Sequence, residues 1–286
     1  MATFNEKKTC SQRMENFGRF VWNPDTGELM GRALDKWVYI SLYYLAFYIV
    51  MIGLFALSIY SLMQTLSPYE PDYQDQIQSP GVTIRPNTYG EGGIEIFYNI
   101  SDENSYKGIV KSLNTFLAVY NKSKQEEMNK PCSNYSDVKS LLTGSGRTKY
   151  ACQFTTDMLG KCSCHHDPTF GFASGEPCLF IKINRIINFM PDNKTAPTLH
   201  CSSKDEDDLR HVEYFPHGSF GLQYFPYYGK KAQPNYTNPL VAVKLFNVQR
   251  NKEIEIVCKV NGSHIINENP HDPYEGKVTF KLKIEK

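Results

Sequence analysis

The stretch that decides the fold is WVYISLYYLAFYIVMIGLFALSIYSLM, Trp37–Met63. No Asp, Glu, Lys or Arg occurs between Lys36 and Glu70. As a helix, these 27 residues reach about 40 Å, against a hydrocarbon core of roughly 30 Å. One transmembrane helix with room to tilt is the expectation. A cleaved signal peptide is the competing reading. The apolar run is too long for it and begins 36 residues into the chain.

Basic residues set the orientation. Arg19, Arg32 and Lys36 precede the span, and no Lys or Arg occurs from Gln64 to Ile84. The positive-inside rule puts the N-terminus in the cytoplasm and everything after the span outside. Two further patterns agree. Cys132, Cys152, Cys162, Cys164, Cys178, Cys201 and Cys258 follow the span, and only Cys10 precedes it; disulfides persist in the secretory pathway rather than in cytosol. Asn-x-Ser/Thr acceptors for glycosylation stand at Asn99, Asn121, Asn134, Asn193, Asn235 and Asn261, all beyond the span.

Within the span, Tyr44, Phe47, Tyr48, Met51 and Phe55 share one stripe at helical spacing. A tyrosine hydroxyl in mid-membrane lacks a partner when it faces lipid. The opposite face carries Leu42, Ala46, Ile49 and Gly53, small enough in places for close helix approach. One face or both should meet another membrane helix; the competing reading is a simple lipid anchor.

The remaining chain divides readily. Residues 1–36 form a short polar tail with Phe17, Phe20 and Trp22; residues 37–63 the membrane helix; residues 64–90 a Pro-bearing stalk; residues 91–286 the ectodomain. In the ectodomain, Ile94, Ile96 and Tyr98 alternate as in a strand. Tyr106, Ile109, Leu113, Phe116, Leu117 and Tyr120 recur with helical period. Strand patterns follow at Leu179–Phe189, Leu240–Val248, Glu253–Val260 and Lys277–Lys286, separated by Pro/Gly/Asn/Asp clusters. Many strands, one helix and paired cysteines indicate a β-sandwich with an inserted helix.

No catalytic motif stands out. Gly-x-Ser-x-Gly, a Walker loop and His-Glu-x-x-His are absent, and the net charge of +1 offers nothing to nucleic acid. Cys162, Cys164, His165 and His166 are zinc-ligand types, but Cys-x-Cys-His-His is not a usual structural-zinc spacing and external cysteines favour disulfides. The acidic run Asp205–Asp208 reads as a solvated loop. No metal or cofactor is expected. The aromatic, Pro-rich YFPYYGKKAQPNYTNPL, Tyr224–Leu240, reads either as a binding face or as a buried corner.

Several long motifs resemble one family. FVWNPDTGELMGR (Phe20–Arg32), YQDQIQSPGVTIRP (Tyr73–Pro86), CQFTTDMLGKC (Cys152–Cys162), Tyr224–Leu240 and PHDPYEGKVTFKL (Pro270–Leu282) look like the β subunits of potassium-transporting P-type ATPases, the gastric proton/potassium type most of all. The resemblance covers essentially the whole chain. It implies a single-pass type II membrane protein of the plasma membrane, with an immunoglobulin-like β-sandwich ectodomain carrying an inserted helix. It implies a non-catalytic role: helping a catalytic α subunit to fold and reach the membrane, and tuning its potassium affinity. It implies disulfides Cys132–Cys152, Cys162–Cys178 and Cys201–Cys258, with Cys164 left over. It places Tyr44, Phe47 and Tyr48 against α-subunit membrane helices, and Tyr224, Tyr227 and Tyr228 in the region over the α subunit's outer loops. The expected partners are the α subunit and the lipid bilayer; the competing readings are a sodium/potassium-pump β subunit and a type II cell-adhesion glycoprotein with ectodomain contact between cells. Three positions depart from the family pattern: Ala33 for Thr, Phe20 near the place of a retrieval-signal tyrosine, and Cys164 for Gly.

Overall fold

The computed structural model describes residues 9–72, 79–133, 149–192, 194–204, 208–209 and 211–286. They form two compact units, Met1–Leu66 and Ser67–Lys286.

The first unit opens with helix α1, Cys10–Val21. Its start is fixed by a capping box: Gln12 N–H donates to Thr9 Oγ1 and Thr9 N–H to Gln12 Oε1. Strands β1 (Trp22–Asn23), β2 (Glu28–Leu29) and β3 (Arg32–Ala33) then form a small antiparallel sheet. Gly27 and Gly31 turn the chain at φ +67° and +72°, conformations that glycine adopts without strain. Helix α2 follows at Leu34–Thr65. Trp37 Nε1 donates to Leu29 O at 2.8 Å and ties the small sheet to the first turn of α2. The helix is longer than the expected 37–63 span, with mean hydropathy 2.2 and no buried side chain. It is long and apolar enough to cross a membrane.

The second unit is rich in sheet. Strands β4 (Val82–Arg85), β7 (Cys178–Ile183), β10 (Val241–Phe246) and β9 (His211–Phe215) form a four-stranded antiparallel sheet in that order. Strands β5 (Tyr89–Gly90), β6 (Gly93–Asn99), β12 (Lys277–Glu285), β11 (Glu253–Asn261) and β8 (Thr198–Ser203) form a second sheet in that order. Its pairings are antiparallel except β6 with β12, where Ile96 faces Leu282 and Ile284 faces Tyr98 in parallel register. The C-terminal strand is thus central, not an edge.

Alternation decides what is buried. Ile84, Ile181 and Val243 from one sheet and Ile96, Ile256 and Leu282 from the other enter the same hydrophobic core. Helix α3 (Glu103–Leu117), capped by Asp102 on Asn104 N–H, adds Tyr106, Ile109, Leu113 and Leu117 to it. A 3-10 turn at Ala118–Tyr120 and the short helix α4 (Lys122–Met128) follow.

Three sequence expectations need correction. The strand expected over Leu179–Phe189 ends at Ile183, where Asn238 Nδ2 takes the Ile183 carbonyl; Asn188 then turns the chain at φ +61°. The proposed stalk contains β4: Val82 and Ile84 are buried, and Pro80 and Pro86 bound an edge strand, the sheet position proline tolerates best. Strands β8 and β9 were not expected, because only Leu199 and Cys201 of β8 are buried and β9 has no buried residue.

Candidate partner-binding surfaces

In α2 the expected stripe is an aromatic ladder. Tyr44 and Tyr48 stack with ring centroids 6.2 Å apart, and Phe47 meets Tyr48 edge-on at 5.6 Å. The three side chains are 51%, 44% and 58% exposed for Tyr44, Phe47 and Tyr48, and the neighbouring Tyr43 ring meets Tyr44 edge-on at 5.5 Å. Ser58 Oγ, by contrast, is satisfied within the helix on Leu54 O at 2.9 Å.

The Tyr224–Leu240 stretch turns inward. Tyr224 is buried against Phe154, 5.6 Å between rings, and its hydroxyl donates to Gln153 O at 3.0 Å. Burial pushes the Tyr224 phenol up to about 12, against a smaller lowering by the Gln223 hydrogen bond. Tyr236 donates to Tyr224 O at 2.9 Å and packs on Tyr227 at 4.7 Å, and burial raises its phenol as well. The Arg185 guanidinium lies over both Tyr227 and Tyr236. Tyr228 is half-buried, with Lys149 Nζ 3.4 Å above its ring. The stretch is a rigid corner of the domain. Its exposed positions include Lys230, Lys231, Pro234 and Asn235.

That corner is pinned by residues the sequence reading passed over. Gln125, on α4, is fully buried. Its Oε1 accepts from Phe154 N–H at 3.1 Å, Asn129 Nδ2 at 3.1 Å and Thr237 Oγ1 at 3.2 Å, and its Nε2 donates to Val119 O at 2.9 Å. Asn129 Nδ2 also reaches Asn235 O at 3.1 Å. One amide therefore joins α4, the Phe154 segment and the aromatic corner. In KSKQEEM (Lys122–Met128) this glutamine sits among charged residues and has no signature of burial.

Three disulfides cross-link the unit: Cys132–Cys152, Cys162–Cys178 and Cys201–Cys258. The last joins directly paired positions of β8 and β11. Cys164 is free and half-buried, while His165 and His166 are exposed; with Cys162 in a disulfide, the four do not form a metal centre. Among the expected glycosylation positions, Asn121, Asn235 and Asn261 are exposed and Asn99 is half-buried. Asn99 and Asn121 accept through Oδ1 from Ser101 N–H and Ser123 N–H, their own sequon serines. Asn134 and Asn193 lie outside the described residues.

Fold and surfaces together define a class: among the described residues, one membrane-length helix near the N-terminus, an aromatic ladder left open on it, and a disulfide-stapled sheet domain. The family model for the sodium/potassium ATPase beta chain matches residues 7–280, and the chain belongs to that family. Over 291 residues it is 55% identical to the potassium-transporting ATPase subunit beta of Homo sapiens, covering all of both chains. The Canis lupus familiaris protein of that name is also 55% identical over its whole length. The sodium/potassium-transporting ATPase subunit beta-2 of Mus musculus is 41% identical, again with full coverage of both chains.

Proposed function

We propose that this chain is the accessory β subunit of a potassium-countertransporting P-type ATPase, working in proton/potassium exchange. The observation that carries this reading is the full-length match at 55% identity to potassium-transporting β subunits, against 41% to a sodium/potassium-transporting one. In this reading the chain performs no catalysis and binds no cofactor. It stabilises the catalytic α subunit, accompanies it to the plasma membrane and tunes its potassium affinity.

The arrangement is single-pass and type II, with residues 1–36 in the cytoplasm and the disulfide-bonded domain outside. The placement of the basic residues and of the glycosylation acceptors supports this. The outer domain is an immunoglobulin-like sandwich carrying α3 as its inserted helix; its two sheets feeding one core support that description. Tyr44, Phe47 and Tyr48 meet α-subunit membrane helices, a role favoured by their exposure on a helix that buries nothing by itself. The corner of Tyr224, Tyr227 and Tyr228 holds the outer docking surface in shape, so little entropy is lost on binding. Glycans on most of the six acceptors aid folding and solubility.

Co-expression with proton/potassium and with sodium/potassium α subunits tests the reading. Surface delivery and potassium-stimulated ATPase activity should depend on this chain, more strongly with the proton/potassium α subunit. Equal delivery of either α subunit without the chain would remove the proposal.

A further inference from the structure

Among the described residues, helix α1 leaves most of its apolar side chains open. None of its 12 residues is buried, and Met14 and Phe17 are 75% and 66% exposed. A helix this short is marginal in water unless an apolar surface receives one of its faces. The sequence supplies such a face. Cys10, Met14, Phe17 and Val21 follow i, i+4, i+7 and i+11 spacing and fall on one side, with Phe20 flanking them. Gln12, Glu15, Asn16 and Arg19 take the other side, where Arg19 and Glu15 pair at 3.4 Å.

What covers the apolar face follows from where the helix is tethered. Met30 N–H donates to Val21 O at 3.0 Å, so the small sheet folds back onto the end of α1. The same sheet is bonded through Leu29 O to Trp37 in the first turn of α2. Helix α1 therefore ends one small sheet away from Leu34, where the membrane-length helix begins. Exposed Phe20 and Trp22 stand at this junction, and tryptophan favours the membrane–water interface.

We infer that α1 is an interfacial helix, lying along the bilayer surface with Met14, Phe17 and Val21 in the headgroup–acyl boundary. This rests on the proposed membrane insertion of α2. The ligand is the lipid surface itself. Residues Cys10 to Lys36 carry four basic and four acidic side chains. Apolar area rather than lipid charge therefore drives the contact, unlike the polybasic anchors that need anionic headgroups.

Hydrogen exchange on the full chain in nanodiscs tests this, with phosphatidylcholine alone and with added phosphatidylserine. Backbone amides of 10–21 should exchange at least roughly tenfold more slowly than in the Met14→Glu/Phe17→Glu variant, to a similar extent in both lipids. Amides in the middle of α2 should stay protected in both proteins. Fast exchange of 10–21 in the parent chain, or protection that survives the two glutamates, overturns the inference while leaving membrane insertion intact. Protection that arises only when a pump partner is added also overturns it, in favour of protein docking. Rapid exchange in α2 itself removes the insertion reading and this inference with it.

Discussion

In Met1–Leu66, Met14, Phe17, Tyr44, Phe47 and Tyr48 all remain exposed. In Ser67–Lys286, by contrast, Phe154, Phe170, Phe172, Phe180, Phe220 and Phe280 are fully buried. Both units are rich in apolar side chains; they differ in where those side chains find neighbours. The sheet domain closes its surface internally, with alternating strands, an amphipathic helix and disulfides. The N-terminal unit leaves its surface open, and in the proposed reading lipid and a partner cover it. Substitutions in the ectodomain should therefore act on folding, and those in α2 on coupling to a partner.

The largest effect is expected at Cys201→Ser. It removes the link between β8 and β11 and leaves Cys258 unpaired in the core. Loss of a native disulfide typically costs about 2–5 kcal/mol. The variant should be held in the endoplasmic reticulum, read as glycans that remain sensitive to endoglycosidase. Normal maturation would show that the sheet domain does not depend on this staple.

Next comes Gln125→Ala, which orphans Phe154 N–H and Thr237 Oγ1 in a buried site. Unpaired buried donors cost about 1–3 kcal/mol each, so the thermal unfolding midpoint should fall by several degrees. Gln125→Glu tests the geometry separately: it keeps the acceptor and loses the donor to Val119 O. An unchanged midpoint in the alanine variant would mean that the aromatic corner is held by packing alone.

A smaller, pH-dependent effect belongs to Asp167. Burial pushes its carboxyl up, but hydrogen bonds from Thr169 Oγ1, Thr169 N–H and Gly171 N–H, with nearby Lys244, outweigh that and hold it below the usual carboxylate range. A depressed folded-state value stabilises the fold above the unfolded carboxyl's value, and this contribution is lost as pH falls through the folded value. Asp167→Asn should be less stable than the parent at neutral pH. The gap should close below about pH 4. A gap that widens in acid would contradict the assigned sign.

The smallest effect is in the membrane. Tyr44→Leu/Tyr48→Leu preserves hydrophobicity and removes two hydroxyls worth about 0.6 kcal/mol each on average. Assembly should survive, with a shift in apparent potassium affinity at equal amounts of complex. Unchanged potassium activation would reduce the ladder to a packing surface.

The sequence made periodic elements legible where one period ran long and uninterrupted. The apolar run of α2, the helical spacing of α3 and the alternation Val278, Phe280, Leu282, Ile284 of β12 all appear in the structure. Short elements escaped. Strand β4 has two inward residues between prolines, and β8 and β9 carry too few apolar positions to stand out. The aromatic corner was legible as rigid, but not its direction: whether Tyr224 faces Gln153 or solvent depends on partners distant in sequence. Gln125 was invisible for the same reason, since two of its partners, Phe154 and Thr237, lie 29 and 112 residues away.

The central claim is that the aromatic ladder of α2 belongs to a partner, while the sheet domain folds on its own contacts. Affinity purification of the tagged full chain from gently solubilised membranes tests it most directly. The account predicts a stoichiometric P-type ATPase α subunit with potassium-stimulated ATPase activity in the eluate. Recovery of the chain as a well-folded, disulfide-bonded species with no α subunit attached would contradict it.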